Sequence, residues 1–362
     1  MKILLLCTTS NSIIGFRKGL IEKLQAEGHE IFAAAFDEDN KDLILSRKIN
    51  FYNVENANRS LNPFKILSLK KRYKKLIKQT NPDVVFTFML KPNVFGTVAA
   101  KKAGVPKIFS MVEGAGDVFI NNGVKWKLIR ALVCKLYKKA FRCANKVFFL
   151  NNDDKNEFVN RKLVEESKCE IVFGIGVDLQ KFVYKPMNNT KTFLMIARML
   201  KTKGIIEYCR AARVVKENYP DANFNYVGGE GTVCVSDIQE YIDDGTINYL
   251  GTTNDVRPFL EDCSVYVLPS YREGMSVSIM EAEAIGRAII TTDTNGCRDV
   301  IIDGKNGFLV PVKDVDSLVE KIEWFLRNGE ETEKMGESSR LFAEENFDSV
   351  KINEKIYSVI IG

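Results

Sequence analysis

The sequence predicts an α/β protein of two halves, each a doubly wound parallel sheet. Three observations lead there. The chain has 362 residues, long for a single hydrophobic core. Short apolar runs alternate with helical stretches, the pattern of parallel strands covered on both faces. After a polar stretch at residues 186–191 the same alternation begins again.

In the first half, residues 2–7 form the first strand, with a turn at 8–12. A helix spans about 16–26, and Gly28 stops it. Residues 30–35 make a second strand. Residues 84–88 make a third, after the Asn81-Pro82 turn signal, and 107–112 and 146–150 are further strands. In the second half, strands fall at 193–196, 224–227, 247–250, 265–268, 288–291 and 308–310, with a helix near 205–216. Ligands of such sheets bind beyond the carboxyl ends of the strands. Two sheets facing each other place the site in the cleft between them.

The bulk composition excludes several classes. Apolar content of 45% and charged content of 27% fit a soluble globular protein. No stretch reaches the roughly 20 apolar residues of a membrane span. The opening run Met-Lys-Ile-Leu-Leu-Leu-Cys is too short for a signal peptide. Eight scattered cysteines without a C-x-x-C pair, and the single His29, give no metal-ligand cluster and point to reduced thiols in a cytoplasmic protein. Charge is uneven. Residues 1–185 carry 33 Lys/Arg against 18 Asp/Glu, and the remainder 19 against 29. A basic half suggests an anionic partner for that half.

The most informative segment is residues 268–286. An apolar strand ends in Pro269-Ser270, then Glu273, Gly274 and a short helix follow, with Glu281 eight residues after Glu273. A strand-to-helix turn of this kind aims backbone N–H groups and a helix dipole at one spot, which suits a diphosphate. Carboxylates beside it accept hydrogen bonds from hydroxyls, so the pair suits a polyhydroxylated phosphate ester. The plain alternative is that Ser278 and Glu281 form a capping box and Glu273 is a solvated loop residue.

Arg198 and Lys203 follow the strand at 193–196 as Arg-x-x-x-x-Lys, placed to neutralise a diphosphate leaving group. A solvated basic loop is the alternative. Gly229-Glu230-Gly231 and Gly114-Ala115-Gly116 are G-x-G turns, but Cys234 and Phe119 stand where the dinucleotide fingerprint needs glycine. Tight backbone turns are their role. Residues 124–142 form a basic amphipathic helix with Ile129, Leu132, Val133, Leu136, Ala140 and Phe141 at helical spacing, and residues 64–78 are a second basic stretch. These helices suit an anionic membrane surface, or simply cover the sheet with a solvated charged face. No nucleic-acid-binding module is present.

With these residues assembled, the chain resembles glycosyltransferase family 4, retaining enzymes of the GT-B fold. The series runs in order: Arg198-x-x-x-x-Lys203, Val227-Gly-Gly-Glu-Gly231, Asn248-Tyr-Leu-Gly251, Asp255-Val256, Glu273 to Glu281, then Asn306-Gly-Phe-Leu-Val310. The first half, through Arg59-Ser-Leu-Asn-Pro-Phe64, Asn93-Val-Phe-Gly96 and Val112-Glu-Gly-Ala-Gly116, is similar to the N-acetylgalactosaminyltransferases of bacterial protein N-glycosylation and to capsule and O-antigen relatives.

The resemblance implies an acceptor-binding domain over 1–185, to which residues 345–362 return, and a nucleotide-sugar-binding domain over 186–344. Arg198 and Lys203 would hold the donor diphosphate, Glu281 the ribose hydroxyls, and Glu273 the transferred sugar. Backbone N–H groups of Gly274, Met275 and Ser276, with the Gly15 loop, would flank phosphates and sugar. Gly251 and Thr252 would lie near the base. The donor would be a UDP-sugar carrying an N-acetylhexosamine, with no metal cofactor. The acceptor is a lipid-diphosphate-linked sugar at the inner face of the cytoplasmic membrane, reached by a peripheral protein. Many relatives carry a histidine where this chain has Glu113, so an acid-base histidine is lacking. Glu113 is a sugar-hydroxyl acceptor or base in one reading, and a loop residue tied to backbone N–H groups in the other. The rivals are another GT-B enzyme such as a nucleotide-sugar epimerase or a phosphorylase, and a non-catalytic sugar-binding module at the membrane surface.

Overall fold

A computed structural model describes residues 1–54, 63–114, 116–120, 123–187 and 191–362. Arg59-Ser-Leu-Asn62 and Ala115, both part of the resemblance, lie outside the described residues. The chain divides into two units. Unit 1 is Met1–Ile175 with Val350–Gly362, and unit 2 is Gly176–Ser349. The linker placed by sequence at 186–191 therefore falls inside unit 2. Residues ahead of it are tied there: Arg340 Nη1 donates to the Phe182 carbonyl at 2.8 Å and Lys185 N to the Ile285 carbonyl at 3.0 Å.

Unit 1 holds a parallel sheet of β1 Lys2–Leu6, β2 Glu30–Ala35, β3 Asn50–Asn53, β4 Val84–Phe88, β5 Lys107–Val112, β6 Lys146–Phe149 and β7 Cys169–Ile171. Their order is β3-β2-β1-β4-β5-β6-β7. β1 and β4 are apolar but for Lys2 and Thr87 because helices cover both faces at the sheet centre, and Ile3 to Leu6 and Val84 to Phe86 are fully buried. Two strands escaped the sequence reading. β3 and β7 are sheet edges, half-exposed and polar, so no apolar run marks them. The expected turn at 8–12 is in part a helix, Ser10–Ile14, because the Thr9 hydroxyl caps it by accepting from Ser12 N. The next helix begins at Lys18 rather than Phe16, and Phe16 is exposed.

Unit 2 repeats the plan with β8 Thr192–Ile196, β9 Asn223–Val227, β10 Asn248–Tyr249, β11 Val265–Leu268, β12 Ala288–Thr292 and β13 Gly307–Val310. All pairs are parallel, in the order β10-β9-β8-β11-β12-β13. In each sheet the chain moves outward in both directions from a central strand, β1 or β8. The carboxyl ends of β1/β4 and of β8/β11 are therefore the topological switch points where ligands of such sheets sit. The helix Ser349–Ile361 packs in unit 1, where Lys23 Nζ pairs with Glu354 at 3.0 Å.

The basic helix of the sequence reading is Val124–Cys143. Its core seam is Val133, Tyr137, Ala140 and Phe141, with Ile129 packed beside them. Leu132, expected on that seam, is 57% exposed, because it falls one turn after Leu128 on the outward face. Among the described residues no helix is long and apolar enough to cross a membrane.

Candidate active site

The loops after β8 and β11 meet at the switch point of unit 2. Two close approaches pin the β11 loop, one to the loop after β8 and one to the loop after β12. A Cβ at Gly204 would lie 2.1 Å from the Pro269 carbonyl oxygen, and Gly204 itself has φ +76°. A Cβ at Gly296 would lie 2.3 Å from the Glu273 carbonyl oxygen. Only glycine fits either position. The contact is locked by Tyr271 N, which donates to the Thr202 carbonyl at 2.8 Å, and Ser270 Oγ lies 3.0 Å from the same oxygen. Tyr266 Oη donates to the Ile196 carbonyl at 2.9 Å and accepts from the Ser278 hydroxyl at 2.6 Å, joining β8 to the helix that follows β11.

Lys203 and Glu273 are brought together by this arrangement. Lys203 Nζ donates to Glu273 Oε1 at 2.5 Å, and Ser270 Oγ donates to the same oxygen at 2.6 Å. The backbone of Glu273 is fixed by its N–H on the Asn295 carbonyl at 3.0 Å. Arg198 stands apart: it is exposed and has no ion-pair partner among the described residues. Ser270, Asn295 and Gly296 were missed by sequence reasoning. Only the spacing of Ser270, three residues before Glu273, offered a sign.

The helix Val277–Ile285 is capped by Ser276, whose hydroxyl accepts from Ile279 N. Ser278 is therefore inside the helix and bonded to Tyr266, so the capping-box reading of Ser278 and Glu281 is wrong. Glu281 makes no hydrogen bond or ion pair among the described residues, and burial raises its carboxyl to about 7. The N–H groups of Met275 and Ser276, just ahead of the helix, have no acceptor among the described residues. Free N–H groups at a helix start with a cation nearby form an anion site, and the unpartnered carboxylate can take hydroxyl donors.

The loop after β9 completes this edge. A Cβ at Gly228 would lie 1.7 Å from the Ala197 carbonyl oxygen, and one at Gly231 would lie 2.7 Å from that of Met199. These glycines serve close backbone approach to the Arg198 loop. Gly228 N donates to the Gly251 carbonyl at 2.8 Å, and the Thr252 methyl lies 3.3 Å from where a Cβ of Gly229 would be. Gly251 and Thr252 thus line the same strand ends as Arg198.

Gly15 and Glu113 belong to unit 1, after β1 and β5. Among the described residues Glu113 does not show the ties to backbone N–H groups of the plainer sequence reading. It is ion-paired to Nη2 of Arg17, whose side chain is 2% exposed, against 13% for Glu113. The guanidinium lies 4.1 Å over the Phe88 ring. Burial lowers the Arg17 pKa to about 10, so it stays charged at neutral pH. No periodic signal marks Arg17 in the sequence. Asn93 steadies the end of β5 from within. It accepts from Thr87 Oγ1 at 2.8 Å and donates to the Met111 carbonyl at 2.8 Å.

Comparison with known proteins fits this geometry. The family described as glycosyl transferases group 1 matches residues 177–342, and that described as glycosyl transferase 4-like matches residues 2–151. The N,N'-diacetylbacillosaminyl-diphospho-undecaprenol α-1,3-N-acetylgalactosaminyltransferase of Campylobacter jejuni is 33% identical, over 91% of this chain and 90% of that one. The chain belongs to glycosyltransferase family 4. An Escherichia coli UDP-Gal:α-D-GlcNAc-diphosphoundecaprenol α-1,3-galactosyltransferase is 29% identical over 68% of this chain and 67% of its own. The structure of HepE from Anabaena in complex with UDP superposes with a TM-score of 0.82 at 17% identity, covering 99% of both chains. The fold of this glycosyltransferase is GT-B.

Two outcomes follow from the ionisable groups. Glu113→Gln strands a buried cation, so it lowers unfolding stability by about 3 kcal/mol. A denaturant titration checks this, and a variant as stable as the parent would show that the pair is not needed by the fold. Glu281 has a folded pKa above its unfolded value, so the folded state holds the proton more tightly. Its neutral form is fully stabilising below the unfolded pKa, and that contribution is lost as pH rises from about 4.5 through 7. Relative to the parent, Glu281→Gln therefore gains up to about 3 kcal/mol of stability between pH 4.5 and 8. Melting curves of both proteins across that range should diverge with rising pH; parallel curves would contradict the burial.

Proposed function

We propose that this enzyme transfers an N-acetylhexosamine, with retention of configuration, from a UDP-sugar to a lipid-diphosphate-linked sugar. The observation that carries this reading is the Lys203–Glu273 pair beside the unpartnered Glu281 and the open N–H groups of Met275 and Ser276. In it, unit 2 holds the donor. Lys203 and Arg198 neutralise the diphosphate, with the N–H groups of Gly274, Met275 and Ser276 next to it. Glu281 accepts from the ribose hydroxyls, and Gly251 and Thr252 flank the base. Glu273, already oriented by Lys203 and Ser270, accepts from a hydroxyl of the transferred sugar. Unit 1, with the Gly15 loop, receives the acceptor. The relatives named for diphospho-undecaprenol acceptors support that substrate class.

The bond from the sugar's anomeric carbon to the diphosphate oxygen breaks as the bond to the acceptor oxygen forms on the same face. The acceptor's hydroxyl proton passes to the departing phosphate oxygen. This route needs no protein base, which fits a chain whose Glu113 is committed to Arg17. Two cations at the diphosphate replace the charge a metal would supply. Glu113 then shapes the β5 loop rather than taking the proton.

The basic helices Pro63–Thr80 and Val124–Cys143 would rest on the anionic inner face of the cytoplasmic membrane, where a lipid-linked acceptor is anchored.

Replacing Arg198 or Lys203 with Ala should cut turnover by about 10²-fold or more, since each stabilises charge on the leaving diphosphate. Release of UDP in the presence of a lipid-diphosphate sugar is the measurement, with chelator in parallel. Undiminished turnover in both variants, or a strict metal requirement, would remove them from the mechanism. Changing Lys135, Lys138, Lys139 and Arg142 together to Gln should weaken binding to anionic liposomes, most of all at low salt, while turnover on a short-chain soluble acceptor persists. Sedimentation with vesicles reads the first quantity, and unchanged binding would return this helix to a solvated cover of the sheet.

A further inference from the structure

Three helices of unit 1, Pro63–Thr80, Thr97–Ala103 and Val124–Cys143, pack side by side with the short one in the middle. Their sequences carry 16 Lys/Arg and no Asp or Glu. Between them lies a groove of about 520 Å³. That is the size of a small-molecule site rather than of a surface crevice. Its floor is apolar: Val94, Phe95, Val98, Ala99 and Leu136. Its rim is five lysines, Lys70, Lys71, Lys74, Lys102 and Lys139. None of the five has a carboxylate partner among the described residues, and Lys70 Nζ lies 5.0 Å over the Phe95 ring.

The helices also supply an apolar approach to this groove. Val124, Leu128, Leu132 and Leu136 recur every fourth residue, so they form one stripe. The first three are 77%, 69% and 57% exposed, and Leu136 enters the groove floor. On the facing helix, Leu67 is exposed one turn before Lys70 and Lys71. Exposed leucines leading into a lysine-rimmed hollow match one ligand chemistry: an apolar chain with an anionic head. Lysine stems lie along apolar surface while their ammonium groups reach the phosphate.

We propose that this groove seats the headgroup of one anionic phospholipid of the bilayer. The lipid's phosphate lies among the five lysines, and its chains run along the stripe of Val124, Leu128 and Leu132. This rests on the membrane reading above and makes it specific: attachment at a stoichiometric lipid site as well as attraction to a charged surface.

The test uses the full chain. A rim variant, Lys70→Gln with Lys74→Gln and Lys102→Gln, is compared with a control of equal charge, Lys75→Gln with Lys78→Gln and Lys125→Gln. Val98→Trp fills the groove without changing charge. Binding is measured to phosphatidylglycerol/phosphatidylcholine vesicles at 0.15 M salt, and to monomeric dihexanoyl phosphatidylglycerol by calorimetry. The rim variant should lose about 100-fold in vesicle affinity, from three phosphate-contacting charges. The control should lose less than about tenfold. The short-chain lipid should bind one to one in the parent and the control, and fail in the rim and Val98→Trp variants. Turnover on a short-chain soluble acceptor should be unchanged in the rim and control variants, which also shows that they fold. Equal losses in rim and control, with Val98→Trp binding like the parent, would overturn the groove and leave the membrane reading standing. Absence of parent binding to anionic vesicles would overturn both. Tighter groove binding of farnesyl diphosphate than of the phospholipid would assign the groove to the acceptor's own isoprenoid diphosphate, and so also overturn the proposal.

Discussion

The backbone contacts of the loop after β11 with the loops after β8 and β12 are the constraint on which the candidate site of unit 2 depends. Gly204 presses on the carbonyl of Pro269, and Gly296 presses on that of Glu273. Neither position tolerates a side chain. Because the loops touch, Lys203 reaches Glu273 from a separate strand end, and Ser270 adds a second donor to the same carboxylate oxygen. A carboxylate held by two donors has one orientation, which is what recognition of a sugar hydroxyl demands.

The two carboxylates of the segment have opposite electrostatics. Glu273 is satisfied by a cation and a hydroxyl. Glu281 is half-buried without a partner, and burial alone raises its pKa to about 7. A group that is costly to ionise in the empty protein gains most when hydroxyl donors arrive. The helix that carries it is short and buried on nearly every side, so the carboxylate has little freedom to turn to solvent. In unit 1 the corresponding switch point is instead closed by an internal ion pair. Arg17 and Glu113 neutralise each other against Phe88.

The architecture was legible where strands are central. The core strands of both sheets are apolar runs because both faces are covered, and those runs stand out in the sequence. The edges β3 and β7 were not legible, since a half-exposed strand needs no apolar run. The site segment was legible through Glu273 and Glu281, but its partners were not. Ser270, Asn295 and Gly296 act through contacts between strand ends far apart in the chain. The helix Val124–Cys143 was read as amphipathic with one seam. It has two, a buried one through Val133 and Tyr137 and an exposed one through Val124, Leu128 and Leu132. Helical spacing alone cannot tell which stripe meets the sheet.

The sequence by itself determined the class of fold and the family, and it singled out Glu273, Glu281 and Lys203 as candidate site residues. These depend on local patterns: apolar period, glycine at tight turns, and an ordered series of motifs. Tertiary structure alone decided which charges meet. It paired Lys203 with Glu273 and left Arg198 and Glu281 without partners among the described residues. It buried Arg17 against Glu113, and it arranged five lysines around one apolar hollow. Charge pairing depends on distance and burial, and both are set by which strand ends the sheet order places side by side.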